Sequence, residues 1–396
     1  MNGRGGEDQF IKRQIKEREG DQVMKKMKIL IAVLMFFLVI PLQPSSKGYA
    51  AEPIYIGLMA PMTGDYAEYG MFFKEGIGLA VEEINKAGGI KGRPIEIIVG
   101  DSKADPKEAV MVAQKFVANP KILAAIGDFT SSCAMAAAPI YEEAKMVEFS
   151  PTSSHPDFTK KGKFMFRNTP TQEYEAPFLA RWAVKDLGKK RVATIYIKND
   201  WGLSTNKYFV ETAKSLGAEV LTQEAFLPGE KDYAAILTKI KNENPELLYI
   251  GAMYAETALI AAQMKKMRFQ PVRMGCTAIY SPKLLELAGD AVEGLLANAL
   301  FFPEFDRPEV KKFHKGFLEK YKKEPNSFAA IAYDAMNVLA NAIKIAGSDR
   351  EKIRDALAAT KNFPGATGAA TFVGGDVVKE YGKIWVKNGK WAVYKP

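Results

Sequence analysis

A strand-loop-helix-strand-loop-helix unit constrains the fold of this chain more than any other segment. Ile54–Met59 and Ile95–Val99 are short apolar runs that are typical of buried strands. Between them, Gly70–Ala87 has helical periodicity and is followed by a Gly-Gly pair, which suits a left-handed helix end. The second helix opens at Asp105, a capping residue with Pro directly after it. This alternation predicts a parallel sheet that is covered by helices on both faces.

The alternation of strands and helices continues in two series. The first series goes on with the strand Ile122–Ile126, the helix Ser131–Ala144 and the strand Met146–Phe149. The second series has its predicted strands at Val192–Ile197, Ala218–Phe226, Leu247–Ile250 and Val272–Gly275, with helical segments between them. The predicted fold class is therefore α/β, with two doubly wound parallel-sheet lobes.

Three sequence strings, in order and correctly spaced, identify a family. They are PMTGDYAEYG, EINKAGGIKG and DPKEAV. With them the chain resembles the type I periplasmic solute-binding proteins of ABC importers, in particular the leucine/isoleucine/valine-binding family. The resemblance extends from about Ile54 to Trp391. It implies the type I periplasmic binding protein fold, with a ligand cleft between the two lobes.

The resemblance also implies the connectivity of the lobes. It predicts three interlobe crossovers, near Thr169, Phe301–Pro303 and Gly365–Gly368. Residues 51–169 and 303–365 would then form lobe one, and residues 170–302 and 366–396 would form lobe two. Residues 1–50 precede both lobes.

The function implied by the resemblance is substrate binding for an ABC transporter. The protein would capture a branched-chain or other hydrophobic amino acid and deliver it to a permease with a separate ATPase subunit, as a monomer without a cofactor. Three alternatives stay open, namely a receptor for a non-amino carboxylate, a ligand-presenting sensor protein and a periplasmic hydrolase. The enzyme reading has little support, because the chain lacks the phosphate-binding and GxSxG motifs. His155 and His314 lack partners at ligand spacing, so no metal site is expected.

The N-terminal residues predict secretion to the periplasm. A basic stretch beginning at Met24 precedes the apolar run Ile29–Leu42, and small residues end the segment at Ala50. This pattern is typical of a signal peptide that starts at Met24 and is cleaved near Ala50, and the run is short for the alternative, a membrane anchor. Without residues 1–50 the chain carries a net charge of about +5 instead of +9, which does not suggest a nucleic-acid partner. Cys133 and Cys276 are expected to be buried thiols.

The ligand site is expected beyond the carboxyl ends of the strands. The segment Asp128–Ser132 leads directly into a helix, whose free amides and hydroxyls suit a carboxylate. From the residues alone, Ser131 or Ser132 could equally be a simple helix cap. The resemblance implies ligand contacts for the hydroxyl and aromatic residues of two loops, Phe129, Thr130, Ser131, Thr152, Ser153 and Ser154.

Aromatic residues would close the pocket from both lobes. The resemblance implies this role for Tyr69, Trp201, Tyr254 and Phe328, although ordinary core packing is the usual role of such side chains. The chain departs from the family at Thr277, where amino-acid-binding members place an acid opposite the ligand ammonium. A substitute acid is then required, with Glu256 first and Asp128 next, unless the ligand has no ammonium. The ordinary interpretation of Glu256 is a solvated residue in the first turn of a helix.

Overall fold

Five parallel strands form the first sheet. They are β1 (Ile54–Ala60), β2 (Ile95–Asp101), β3 (Ile122–Ile126), β4 (Val147–Ser150) and β5 (Met165–Arg167), in the spatial order β2-β1-β3-β4-β5. Every residue of β3 and β4 is buried, as expected for a parallel sheet with both faces covered. The structure is a computed structural model that describes residues 12–14, 16–28 and 52–395.

Five further parallel strands begin the second sheet. They are β6 (Arg191–Ile197), β7 (Glu219–Phe226), β8 (Leu247–Gly251), β9 (Val272–Gly275) and β10 (Leu296–Ala299), in the order β10-β9-β8-β6-β7. In both sheets the strand order reverses next to the first strand of the series, which is where the carboxyl ends leave a crevice.

Helices cover the faces of both sheets. They are α1 (Ala67–Lys86), α2 (Pro106–Ala118), α3 (Ser131–Glu143), α4 (Gln172–Arg181), α5 (Asp200–Ser215), α6 (Ala234–Asn242), α7 (Tyr254–Lys266), α8 (Pro282–Ala288), α9 (Pro308–Tyr321), α10 (Ser327–Ala346) and α11 (Arg350–Ala358). The two-sheet α/β fold predicted from the alternating pattern is confirmed.

Helices α9, α10 and α11 follow β10 in sequence but pack with the first sheet. Helix α10 lies along α1, and α11 packs against α10 and β4. The approach of α1 to α10 requires a glycine at Gly76, where a Cβ would lie 2.1 Å from the Ala329 carbonyl oxygen. The chain therefore returns to the first sheet after β10.

The last part of the chain differs from the expected connectivity. A short hairpin, β11 (Phe372–Val373) and β12 (Asp376–Val377), packs on the first sheet, where the Phe372 ring lies 5.7 Å from that of Phe149. Only afterwards do β13 (Gly382–Lys387) and β14 (Lys390–Val393) extend the second sheet, antiparallel beside β10. The hairpin lies after the expected crossover at Gly365–Gly368 but still packs on the first sheet. The chain therefore leaves the first sheet for the second between Val377 and Gly382.

The N-terminal expectations lie mostly outside the described residues. Residues 12–14 and 16–28 are helical and exposed, whereas the apolar run Ile29–Leu42 and the expected cleavage near Ala50 are not described. Among the described helices, none has the length and apolar character needed to cross a membrane. Cys133 and Cys276 are buried free thiols, as predicted.

Candidate functional site

A small cavity of about 40 Å³ lies between the two sheets. Its walls come from the loops after β3, β4, β8 and β9, from the first turns of α3, α4 and α5, and from α10. The lining residues are Phe129, Thr130, Ser131, Thr152, Ser154, Thr169, Glu175, Trp201, Met253, Thr277, Ala278, Phe328 and Ile331.

Ser154 is positioned to donate a hydrogen bond into this cavity. Its Oγ accepts hydrogen bonds from Gln172 Nε2 at 2.8 Å and from the indole Nε1 of Trp201 at 3.2 Å. A serine hydroxyl has two acceptor lone pairs and one hydrogen. Because both lone pairs are engaged, the hydroxyl hydrogen remains for an acceptor in the cavity.

Ser131 offers a second hydroxyl at the start of α3. The helix cap is Thr130, whose Oγ1 accepts from the Cys133 backbone N–H at 3.2 Å. Ser131 is therefore not the cap, and neither is Ser132, whose hydroxyl donates to Asp200 Oδ2 at 2.8 Å. Ser131 Oγ accepts from the His155 backbone N–H, so its hydrogen is also available. Both hydroxyls adjoin a helix N-terminus, which favours an anion.

Glu175 supplies a carboxylate at another side of the cavity. It is 4% exposed and lies in the first turns of α4. Its Oε1 accepts from the Thr277 backbone N–H at 3.0 Å and from Asn298 Nδ2 at 2.9 Å, and its Oε2 accepts from Gln172 Nε2 at 3.0 Å. These three donors are neutral, so the carboxylate has hydrogen-bond support without a protein cation among them.

The two acids expected to replace the missing one do not line the cavity. Glu256 accepts a hydrogen bond from the Tyr66 hydroxyl at 2.5 Å, and burial raises the pKa of its carboxyl. Asp128 is fully buried behind the loop after β3, where it accepts from the Thr130 N–H, and burial raises its pKa to about 6. Of the three acids, only Glu175 lines the cavity, and neither of the two candidates named from the sequence does.

Tyr69 and Tyr254 support the wall of the cavity without lining it. The Tyr69 ring stacks on that of Phe129 with centroids 4.0 Å apart and meets the edge of Phe328 at 4.7 Å. Its hydroxyl donates to the Ala278 carbonyl at 2.6 Å and accepts from the Tyr254 N–H at 3.1 Å. These two tyrosines are thus core residues that join the loops of the two sheets.

The site residues expected from the sequence fall into two groups, those that line the cavity and those that do not. Phe129, Thr130, Ser131, Thr152, Ser154, Trp201, Thr277 and Phe328 line the cavity, whereas Tyr69, Ser153, Tyr254 and Glu256 do not. Ser153 belongs to the same loop as Ser154, but its N–H donates to Ser150 Oγ and its side chain is buried. Five further residues line the cavity but were not predicted from the sequence, namely Thr169, Glu175, Met253, Ala278 and Ile331.

Comparison with known proteins gives consistent matches along both sheets. A sequence model of the family described as periplasmic binding protein matches residues 53–379. The leucine-, isoleucine-, valine-, threonine- and alanine-binding protein of Pseudomonas aeruginosa is 30% identical over 357 residues, which cover 90% of this chain and 93% of that protein. The crystal structure of a leucine-binding protein from Thermotoga maritima is 34% identical with a TM-score of 0.83, covering 86% of this chain and 98% of that one. A branched-chain amino acid substrate-binding protein from Streptococcus pneumoniae, solved with isoleucine, is 29% identical with a TM-score of 0.81, covering 87% and 100%.

Proposed function

The chain belongs to the periplasmic binding protein family, and we propose that it captures an amino acid with a hydrophobic side chain and delivers it to an ABC permease. The observation that carries this proposal is the arrangement of three kinds of group around one cavity. Hydroxyl donors stand at one side, a buried carboxylate at another, and apolar side chains fill the rest. A free amino acid has the three complementary groups.

The ligand carboxylate would lie at the start of α3. There the hydroxyls of Ser131 and Ser154 both have a hydrogen free to donate, and the helix end adds its positive potential. Hydrogen bonds to a charged acceptor contribute about 1.5–3 kcal/mol each. Two such donors would select a carboxylate without an arginine in contact with it.

The ligand ammonium would lie against Glu175. Its carboxylate already accepts from three neutral donors, and an ammonium would add the missing opposite charge. The hydroxyl of Thr277, 8% exposed and without a hydrogen-bond partner among the described residues, lies beside it. In this assignment the acid that pairs with the ligand ammonium lies on α4, not on the loop after β9.

The ligand side chain would meet the apolar part of the cavity. Phe129 and Phe328 contribute aromatic faces, and Met253, Ala278 and Ile331 complete the lining. Burying a leucine-sized side chain among them contributes roughly 1.5–3 kcal/mol. A charged side chain would find no partner there, so hydrophobic amino acids are favoured.

Capture would proceed by closure of two lobes. We assign residues 52–169 and 303–377 to lobe one, and residues 170–302 and 378–395 to lobe two. Contacts between the elements of the two sheets already include Tyr69 with Ala278 and Ser281 with Glu68, the latter at 2.6 Å. The closed monomer would dock on a permease whose separate ATPase subunit hydrolyses ATP. A signal peptide starting at Met24 would direct the chain to the periplasm.

A thermal-shift panel tests the ligand class. Purified protein, refolded to remove bound solute, is heated with leucine, isoleucine, valine or phenylalanine, and in parallel with the corresponding acids that lack the amino group. The proposal predicts stabilisation by the amino acids, because ligand bound only to the folded state raises its stability. A panel in which only the deaminated acids stabilise the protein would replace the amino acid by a simple carboxylate.

A further inference from the structure

Arg167, at the end of β5, is a fully buried arginine directed at the loop that carries Ser154. Its side chain is 0% exposed. Its Nη1 donates to the carbonyl oxygens of Ser153 at 2.9 Å and of His155 at 2.7 Å, and its Nη2 donates to Thr159 Oγ1 at 3.1 Å. Its guanidinium plane thus holds the backbone on both sides of Ser154.

The carbonyl of Ser154 itself is held by another element. It accepts from the Gln172 backbone N–H at 2.8 Å. Three successive carbonyls are therefore fixed, the outer two by Arg167 and the middle one by α4. With its peptide planes fixed, the Ser154 side chain has little freedom other than rotation about χ1, and the two donors to its Oγ limit that rotation.

Arg167 is anchored in turn by the late hairpin. Its Nε lies 2.7 Å from Asp376 Oδ1 on β12, and Thr159 Oγ1 donates to the same carboxylate oxygen at 3.0 Å. The Arg167 backbone N–H also donates to the Gly375 carbonyl at 3.0 Å. Because arginine presents a rigid planar fork, one side chain can hold two carbonyls and a carboxylate at once, which lysine cannot do.

We propose that Arg167 is the positioning residue for the Ser154 hydroxyl, and that through it the β11–β12 hairpin sets the preference of the cavity for a ligand carboxylate. This inference rests on the proposed function, since it assumes that Ser154 donates to the ligand. Arg167 does not line the cavity and acts through the backbone of residues 153–155.

Calorimetry with L-leucine and L-leucinamide tests this role. Both ligands carry the ammonium, but only leucine carries the carboxylate. A hydrogen bond to a charged carboxylate is stronger than one to a neutral amide, so leucine binding depends more on a well-placed donor. We expect R167M to weaken leucine binding by about tenfold or more and leucinamide binding by clearly less. R167K, which keeps the charge without the fork, should give the same change of preference to a smaller extent, and it replaces R167M should the latter not fold.

R350M is the matched control. Arg350 is half-buried and also donates to two backbone carbonyls of the first lobe, those of Ile122 and Ala144, but at the opposite end of β3. Its loss should lower the thermal stability of the ligand-free protein without changing the ratio of leucine to leucinamide affinity. An equal change of that ratio in R350M would mean that Arg167 acts only through general stability.

A double-mutant cycle with S154A separates positioning from structure. If Arg167 acts through Ser154, the S154A/R167M protein should bind leucine within about threefold of S154A alone. Additive losses, or an unchanged leucine-to-leucinamide ratio in R167M and R167K, would overturn the positioning role while leaving the proposed function intact. Failure of the wild-type protein to bind any amino acid would overturn both.

Discussion

Replacement of Glu175 by glutamine removes one charge from the cavity while keeping its shape. The glutamine Oε1 can still accept from the Thr277 N–H and from Asn298, as the carboxylate does. The amide nitrogen that replaces Oε2 cannot accept, so the variant loses the interaction with a ligand cation and the hydrogen bond from Gln172 Nε2. Since Glu175 is 4% exposed, that interaction occurs away from bulk water.

The expected magnitude follows from the burial of the pair. Removing one partner of a buried ion pair costs about 3–5 kcal/mol, because the other charge stays buried without compensation. The glutamine oxygen already accepts from Thr277 and Asn298, so it has no lone pair left for the ammonium and the whole range applies. A loss of about 3 kcal/mol weakens leucine binding by roughly two orders of magnitude.

Isothermal titration calorimetry of wild type, E175Q and E256Q provides the measurement. E256Q is the matched control, because Glu256 is a buried acid that bonds to Tyr66 and does not line the cavity. We expect E256Q to change leucine affinity by less than about 1 kcal/mol, the net contribution of an ordinary hydrogen bond. The deaminated analogue, 4-methylpentanoate, should bind E175Q at least as well as it binds wild type.

Two results would refute the reasoning. Equal leucine affinity of E175Q and wild type would show that the carboxylate does not face an ammonium. A large loss in E256Q with none in E175Q would return the charged role to Glu256 and would imply a different arrangement of the two lobes in solution.

Three further predictions concern separate parts of the molecule. S131A should weaken leucine binding by about 1–3 kcal/mol in calorimetry, and an unchanged affinity would contradict the donor role. The ligand-free melting temperature should fall only slightly, because Thr130 still caps α3 and the His155 N–H alone loses its acceptor. E148Q should remove a pH dependence of unfolding: burial raises the pKa of Glu148, so its contribution to stability is present at low pH and is lost as pH rises towards the folded-state pKa. Urea unfolding of both proteins between pH 5 and 8 measures this, and parallel curves would disprove it. Leucine should reduce the radius of gyration in solution scattering, and identical profiles would argue against lobe closure.

Much of the architecture could be predicted because local and global signals agree. Helix α2 begins as expected at Asp105, whose carboxylate accepts from the Lys107 and Glu108 N–H groups, with Pro106 as the first helical residue. Helix α1 begins at Ala67, three residues before the predicted start at Gly70, because its first turn has no side-chain cap to mark it. Helix periodicity alone does not locate such an end.

The acid at the cavity could not be found in the same way. Glu175 lies on α4, a helix that the pattern of apolar residues obscures because Pro177 stands inside it. Its partners Thr277 and Asn298 are more than a hundred residues away in sequence. Only the three-dimensional fold brings these residues together. An acid that is missing from one loop can therefore be replaced by an acid on another element, and no local sequence pattern marks the replacement.

The late hairpin shows another limit of the sequence interpretation. β11 and β12 have two residues each, and Phe372 packs on the first sheet through contacts with Phe149 and Phe166. Strands this short carry no alternating pattern by which the partner sheet could be recognised.

The amide of Gln172 links both ends of the cavity, since its Nε2 donates to Ser154 Oγ and to Glu175 Oε2. A change at either partner alters the acceptors available to this one nitrogen. The Gln172 amide would then rotate, and its hydrogen bond to the other partner would change. Mutations that adapt the protein to new solutes should therefore be epistatic between positions 154 and 175. An evolutionary path from amino acids to simple acids would be expected to include residue 172, although its side chain need not touch either ligand.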